Sequence, residues 1–406
     1  MKGKIKVSRL YIFLFVNGLA SFFGFYNYIN SSVYNVDQQA IFIILISIVL
    51  FLFSRIKIYK DGFLLANILF IAMILVSIVV ARLRYDQPWY YTIKESIYYV
   101  AAILATFAMK HYCKNKDAIE YLKKAIVIVA IICSVISIVE YVSLLGGVDI
   151  LRLDTYIKYR YDTPRFEIGS LALILGFFIA ISKLLARDIS TKEKRLYISY
   201  LILLCINLYF IIKTRSLMLY LIVALIIGIL FNKKTSIKIK ILLYALLGFC
   251  VIGLFLSNIM VSINTLFQED MGIAVRFKAL DYYWDKFLEY PLTGLGFLSG
   301  SETLSTSSIL LGGNGNFYQS DVGIIGFVSK FGAIGLIWMC ILYRAMISKL
   351  ILFRNKIDDE HYLLLFMLIV YLAITSVNLI FTDTNKILYM PVVMIFFSAS
   401  KYYQKE

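Results

Sequence analysis

Proline, cysteine, histidine and charge are all scarce in this chain. Four prolines and 22 glycines among 406 residues exclude collagen-like and proline-rich disordered proteins, which need far more of each. The five cysteines are single and scattered, at Cys113, Cys133, Cys205, Cys250 and Cys340. That spacing offers neither a disulfide framework nor a metal-binding pattern. The two histidines are His111 and His361. Charged residues are only 16% of the chain, whereas soluble domains average about 25%. No Gly-rich lysine motif for nucleotide phosphates occurs.

Apolar residues fill the gap. They are 61% of the chain, with a mean hydropathy of +0.82, against roughly 45–50% in soluble domains. An aqueous globular enzyme is excluded, and the composition predicts an all-α polytopic integral membrane protein. A hydrocarbon core about 30 Å thick needs roughly 17–25 apolar residues per helix. Twelve stretches reach or approach that length: Leu10–Ile29, Gln39–Ser54, Phe63–Ala81, Ser96–Met109, Ala125–Leu145, Ile168–Leu185, Leu196–Ile212, Ser216–Phe231, Ile239–Leu256, Val322–Tyr343, Tyr362–Ile380 and Ile387–Ser400. The fourth and twelfth are short. Basic residues precede the first, as in a signal peptide, but no small-residue cleavage site follows, so it reads as a retained helix. Residues 1–406 are thus expected to form a single integral membrane domain.

The net charge of +16 is then a matter of topology, with no nucleic-acid partner required. Loops that fall on one side (the N-terminus, 55–61, 110–124, 183–195, 232–240, 344–361 and the C-terminal tail) hold 27 Lys+Arg against 9 Asp+Glu, a net of +18. Everything else sums to −2. The positive-inside rule therefore puts both termini in the cytoplasm. Dropping one span would scatter this asymmetry, which is why the short ones are kept. Both histidines fall on the cytoplasmic side.

Two connections on the opposite side are long. Gly146–Glu167 carries Arg152, Arg160 and Arg165, and Ser257–Asp321 exceeds the roughly 12–15 residues beyond which loops are usually functional or disordered. Within the second, VRFKALDYYWDKFL places Phe277, Leu280, Trp284 and Phe287 at helical spacing, predicting an amphipathic helix at the outer interface. Pro291, Gly294 and Gly296 end it. On this outer side 7 of 13 basic residues are arginine, against 6 of 27 inside. Arginine's planar fork grips phosphate oxygens in pairs, which lysine cannot do.

Three outer positions carry candidate chemistry. Arg215 lies in the tight turn between spans seven and eight, where a lipid phosphate would sit; a snorkelling anchor is the ordinary alternative. Arg276 opens the amphipathic helix, or is a plain exposed helix charge. Asp321 enters span ten, where an acid can also cap a helix. Lys330 lies about 12 Å into its helix at 1.5 Å per residue, too deep to face lipid cheaply. With Glu140, Asn378, Thr382 and Asp383 it would line a protein-walled cleft. The loop tyrosines Tyr156, Tyr159, Tyr161, Tyr282, Tyr283 and Tyr318 would stack on sugars or form an interfacial belt.

The order of these parts resembles the O-antigen ligase and Wzy-type polysaccharide polymerase superfamily. The likeness rests on TRSLMLYLIVAL, on VRFKALDYYWDKFLEYPLTGLGF and on SDVGIIGFVSKFGAIG. The matching residues are Arg215, Arg276, the Pro291–Gly294–Gly296 turn, Gly332 and Gly335. Ligases of that family carry a histidine at the place of Asp321, and no histidine is expected on this face to replace it, which favours the polymerase branch. The resemblance implies a GT-C-like glycosyltransferase architecture of about 12 transmembrane helices with one large extracytoplasmic loop, in a bacterial cytoplasmic membrane. It implies a metal-independent, cofactor-free transfer of glycan from an undecaprenyl-diphosphate carrier to another lipid-linked repeat unit. Asp321, Arg215 and Arg276 would be catalytic, and Arg152, Arg160, Arg165, Lys330 and Tyr318 substrate-binding. Partners would be the lipid-linked oligosaccharide, membrane lipid, a flippase and a chain-length regulator. The competing readings are an O-antigen-ligase-like transfer of finished polymer and a flippase for the same lipids, although transporters more typically show internal repeats.

Overall fold

A computed structural model describes residues 2–19, 38–53, 61–150, 158–160, 163–185, 189–231, 237, 241, 271–313, 315–378 and 381–404. Long helices dominate these residues. In chain order they are α1 (Lys2–Leu19), α2 (Gln38–Phe53), α3 (Leu64–Tyr85), α4 (Trp89–Tyr112), α5 (Lys116–Leu145), α6 (Ser170–Leu184), α7 (Thr191–Ile206) and α8 (Arg215–Phe231). The series continues with α9 (Met271–Glu289), α10 (Thr306–Leu311), α11 (Gly323–Phe353), α12 (Asp359–Thr375) and α13 (Tyr389–Ser398). A three-residue hairpin, β1 (Lys158–Arg160) with β2 (Thr163–Arg165), precedes α6. The protein is an all-α membrane protein. Among the described residues, four helical stretches are long and apolar enough to cross a bilayer: Leu64–Tyr85, Lys116–Leu145, Thr191–Ile212 and Gln319–Phe353. Shorter apolar helices accompany them.

Helices occupy the predicted positions except for Ile239–Leu256, which lies largely outside the described residues, as does the end of the first stretch after Leu19. The fourth stretch is longer than its apolar run. Helix α4 starts at Trp89; Thr92, Lys94 and Glu95 interrupt its apolar run before Ser96, and Thr92 is buried against the protein. The last helix is short. Tight 3₁₀ turns at Thr384–Leu388 and Ala399–Tyr402 lengthen it at both ends.

One core runs through the bundle, with Trp338, Tyr99, Phe70 and Phe331 among its largest fully buried side chains. The described polar contacts between connecting segments gather at two ends. At one end Glu120 accepts from Lys123 (2.8 Å), Lys183 (3.3 Å) and Tyr403 (2.5 Å). There Glu360 takes the same two lysines, at 3.2 Å and 2.9 Å. Lys110 meets Asp61 at 3.0 Å and Lys116 meets Asp358 at 3.4 Å. All these residues belong to segments assigned by charge to a single face. The candidate site lies at the other end.

Candidate functional site

The site is built on a break in α11. Gly332 adopts φ 62° and ψ −158° in mid-helix, a conformation that side-chain-bearing residues seldom enter. The interruption frees backbone groups that would otherwise be orphaned in the protein interior. The Pro291–Phe297 segment satisfies them. Leu295 and Gly296 donate their N–H groups to the carbonyls of Ser329 and Lys330, both at 2.8 Å. In return Ala333 donates to Pro291 at 2.7 Å and Ile334 to Leu292 at 3.4 Å. Such close backbone contact leaves no room for side chains. A Cβ on Gly294 would lie 2.6 Å from the Lys330 carbonyl, and one on Gly332 would collide with the Leu292 carbonyl. The glycines and the proline singled out in the sequence, some forty residues apart, thus form one backbone joint.

Helices α3 and α4 hold the joint from the other side. Arg84 donates to the Gly294 carbonyl (2.8 Å) and the Thr293 hydroxyl (3.1 Å), and its guanidinium lies 4.0 Å from the Tyr290 ring centroid. Gln87 is buried and spends both ends of its amide. It donates to Thr92 (2.8 Å) and the Phe297 carbonyl (2.9 Å), and accepts from the Ser299 N–H (2.8 Å) and Thr306 hydroxyl (3.3 Å). Neither residue stands out in the sequence. Their sequence signal is slight: Arg84 stands two residues after Arg82, just before Pro88.

Arg276 and Asp321 come together beside this joint. Arg276 Nε lies 4.0 Å from Asp321 Oδ2, with the side chains 48% and 38% exposed. The pair is therefore open to a ligand. Asp321 sits in a 3₁₀ turn, Gln319–Val322, and Val322 occupies the cap position of α11 with no side-chain cap bond. The capping role that competed for Asp321 is not what its carboxylate does. Helix α9 carries Arg276 and docks through Ala279 and Tyr283, which are buried against Val322. Its predicted apolar stripe divides: Phe277, Leu280 and Trp284 are exposed, whereas Phe287 packs against the main core. Tyr282 and Tyr283 donate to the Ile309 and Leu310 carbonyls at 2.7 Å and 2.6 Å. Burial pushes the Tyr283 hydroxyl well above its ordinary value, so it stays a donor. These two tyrosines hold α10, whereas Tyr318 is 54% exposed next to Asp321.

The remaining candidates separate. Arg215 opens α8, and Tyr220, five residues on, faces Arg276 electrostatically; the Arg215 side chain lies outside the described residues. Arg152 lies outside them too, and Arg160 is placed only as backbone in β1. Arg165 spends its fork on the protein, donating to the Ile212 carbonyl and the Thr214 hydroxyl, both at 2.8 Å. That contact pins β2 to the turn in front of Arg215. Lys213 in the same turn is left-handed (φ 53°) and bonds Thr163 and Pro164. Burial, with the Arg165 charge beside it, holds its ammonium below the ordinary lysine range.

Lys330 follows from the joint, since its own carbonyl is one of the bonded groups. Its ammonium lies over the rings of Phe297 (5.1 Å), Tyr99 (5.2 Å) and Phe331 (5.6 Å), with Asp383 and Glu95 in electrostatic range. The aromatic faces supply part of the stabilisation that a desolvated cation needs. Of the residues expected to line a cleft with it, Asn378 Oδ1 and Thr382 Oγ1 are buried with no hydrogen-bond partner among the described residues. Glu140 is buried on α5. Among known proteins, no family model and no curated sequence matches this chain.

Proposed function

We propose that the protein is a twelve-span glycosyltransferase that polymerises undecaprenyl-diphosphate-linked oligosaccharide repeat units at the outer face of the cytoplasmic membrane. The observation that carries this reading is the Arg276–Asp321 pair, 4.0 Å apart and half exposed, beside the joint between the large loop and α11. An acceptor sugar hydroxyl attacks the anomeric carbon of the donor, the bond from that carbon to the lipid diphosphate breaks, and the diphosphate leaves with the electron pair. Arg276 and Arg215 stabilise the charge growing on the leaving group. Asp321, released from Arg276 as the guanidinium turns to the diphosphate, takes the hydroxyl proton. Tyr318 and Lys330 contact the glycan. Arg165 positions the turn that presents Arg215. No metal takes part in this scheme.

The test is made in cells of the source organism lacking the native gene. Arg276→Lys keeps the charge but loses the fork, and Asp321→Asn keeps the shape but loses the base. Each is expected to lower polymer by about a hundredfold, the scale of losing one transition-state donor, with single repeat units accumulating on the carrier. Long chains accumulating on the carrier would instead assign a ligase. Normal polymer in both variants would remove the proposal.

A further inference from the structure

The lysine-rich end of the bundle contains a cavity of about 360 Å³ where the start of α3 meets the ends of α4, α11 and α13. Four lysines line it, Lys110, Lys114, Lys349 and Lys401, with one carboxylate, Asp61. That carboxylate is already committed. It accepts from Lys110 at 3.0 Å and from the Ser398 hydroxyl at 3.1 Å. Lys110 and Lys349 both lie over the buried Phe63 ring, 5.8 Å and 5.3 Å from its centroid. Among the described residues Lys349 and Lys401 have no ion pair, in contrast to Lys116, Lys123 and Lys183 nearby.

The charge balance decides what such a cavity can hold. Four ammonium groups against one carboxylate leave a net of +3. The three helix C-termini that end there offset about half a charge each, and the lining residues still carry an excess of positive charge, with Lys349 and Lys401 as its two ammonium groups without an ion pair among the described residues. Positive-inside topology explains lysines on loop surfaces, yet it does not require several to converge on one partly desolvated cavity at a cost in mutual repulsion. A phosphate monoester carries about −1.5 to −2 at neutral pH, and lysine recognises phosphate as a point charge. The volume suits a headgroup or a small phosphorylated molecule, since ligand cavities typically run about 300–1,000 Å³. We infer that this cavity is a binding site for a phosphate group, distinct from the arginine site at the opposite end. Basic cavities between membrane helices are a known way of holding lipid phosphates, and a free phosphate would satisfy the same lysines.

The experiment uses the purified full-length protein and reads its melting transition. Inorganic phosphate is titrated against chloride at matched ionic strength in a neutral detergent. In a second arm, nanodiscs of phosphatidylglycerol are compared with nanodiscs of phosphatidylcholine. The test variant is K349Q/K401Q; the control, K116Q/K192Q, removes equal charge outside the cavity. Stabilisation by free phosphate, weakened at least tenfold in apparent affinity in the test variant alone, identifies a soluble phosphorylated ligand. Stabilisation by phosphatidylglycerol but not by free phosphate, again lost only in the test variant, identifies a lipid headgroup. If the double variant does not accumulate, K401Q, at an exposed position, carries the same comparison. No stabilisation in either arm, or the same response from test and control variants, would overturn the inference.

Discussion

The two polar ends of the bundle are held together by different chemistry. At the lysine end, carboxylates are shared: Glu120 and Glu360 bridge Lys123 and Lys183, and through them α5, α6 and α12. At the arginine end, the long-range ties run to backbone. Arg84 and Arg165 hold carbonyls of distant segments, and the large loop exchanges main-chain hydrogen bonds with a broken helix. Shared ion networks hold the first end, whereas backbone fitting holds the second, where the ion pairs Arg82–Asp86, Arg165–Glu167 and Arg276–Asp321 are partly open to solvent. The proposed substrate chemistry belongs to the arginine end and the proposed phosphate site to the lysine end.

The largest effect should come from breaking the backbone joint. Gly332→Val puts a β-branched residue at positive φ and drives its side chain into the Leu292 carbonyl. Left-handed strain plus overpacking predicts a loss of about 3 kcal/mol or more, seen as failure to accumulate or a collapsed melting transition. At the lysine end Glu120→Ala should come next. It takes from Lys123, whose side chain is 2% exposed, one of its two carboxylates, and removes the acceptor of the Tyr403 hydroxyl. Breaking one partner of a buried pair costs roughly 3–5 kcal/mol; because Glu360 still faces both lysines, about 2 kcal/mol is expected by denaturant melts. Polymer formed per folded molecule should not change. Arg84→Lys should have the smallest effect, about 1 kcal/mol, since an ammonium can hold Gly294 or Thr293 but not both. An equal loss from Arg84→Lys and Glu120→Ala would blur the contrast between the two ends.

Much of this arrangement was readable from residue order, and the part that was not has a physical cause. Apolar runs located the helices because burial in lipid demands them. Loop charge separated the segments into two sets, and the described polar contacts join members of the same set. The Pro291, Gly294, Gly296 and Gly332 positions were legible as a motif. Their mutual contact was not, because main-chain hydrogen bonds leave no side-chain signature. Gln87 was missed for a related reason: a lone buried amide is visible only through its partners. For Asp321 the sequence favoured a helix cap over a functional carboxylate; in the fold the residue sits in the 3₁₀ turn before α11, makes no side-chain cap bond there and lies near Arg276. The apolar stripe of α9 was legible, but not that the helix docks through Ala279 and Tyr283 instead.

The most direct test asks which side of the membrane each end faces. In a cysteine-free background, single cysteines at Lys278, exposed on α9, and at Lys116, exposed at the lysine end, are treated in intact cells with a membrane-impermeant maleimide. Labelling of Lys278→Cys from outside, with Lys116→Cys labelled only after permeabilisation, is the expected result. Labelling of Lys278→Cys only after permeabilisation would put Arg276 and Asp321 on the wrong side for an exported lipid-linked glycan and contradict the proposed function.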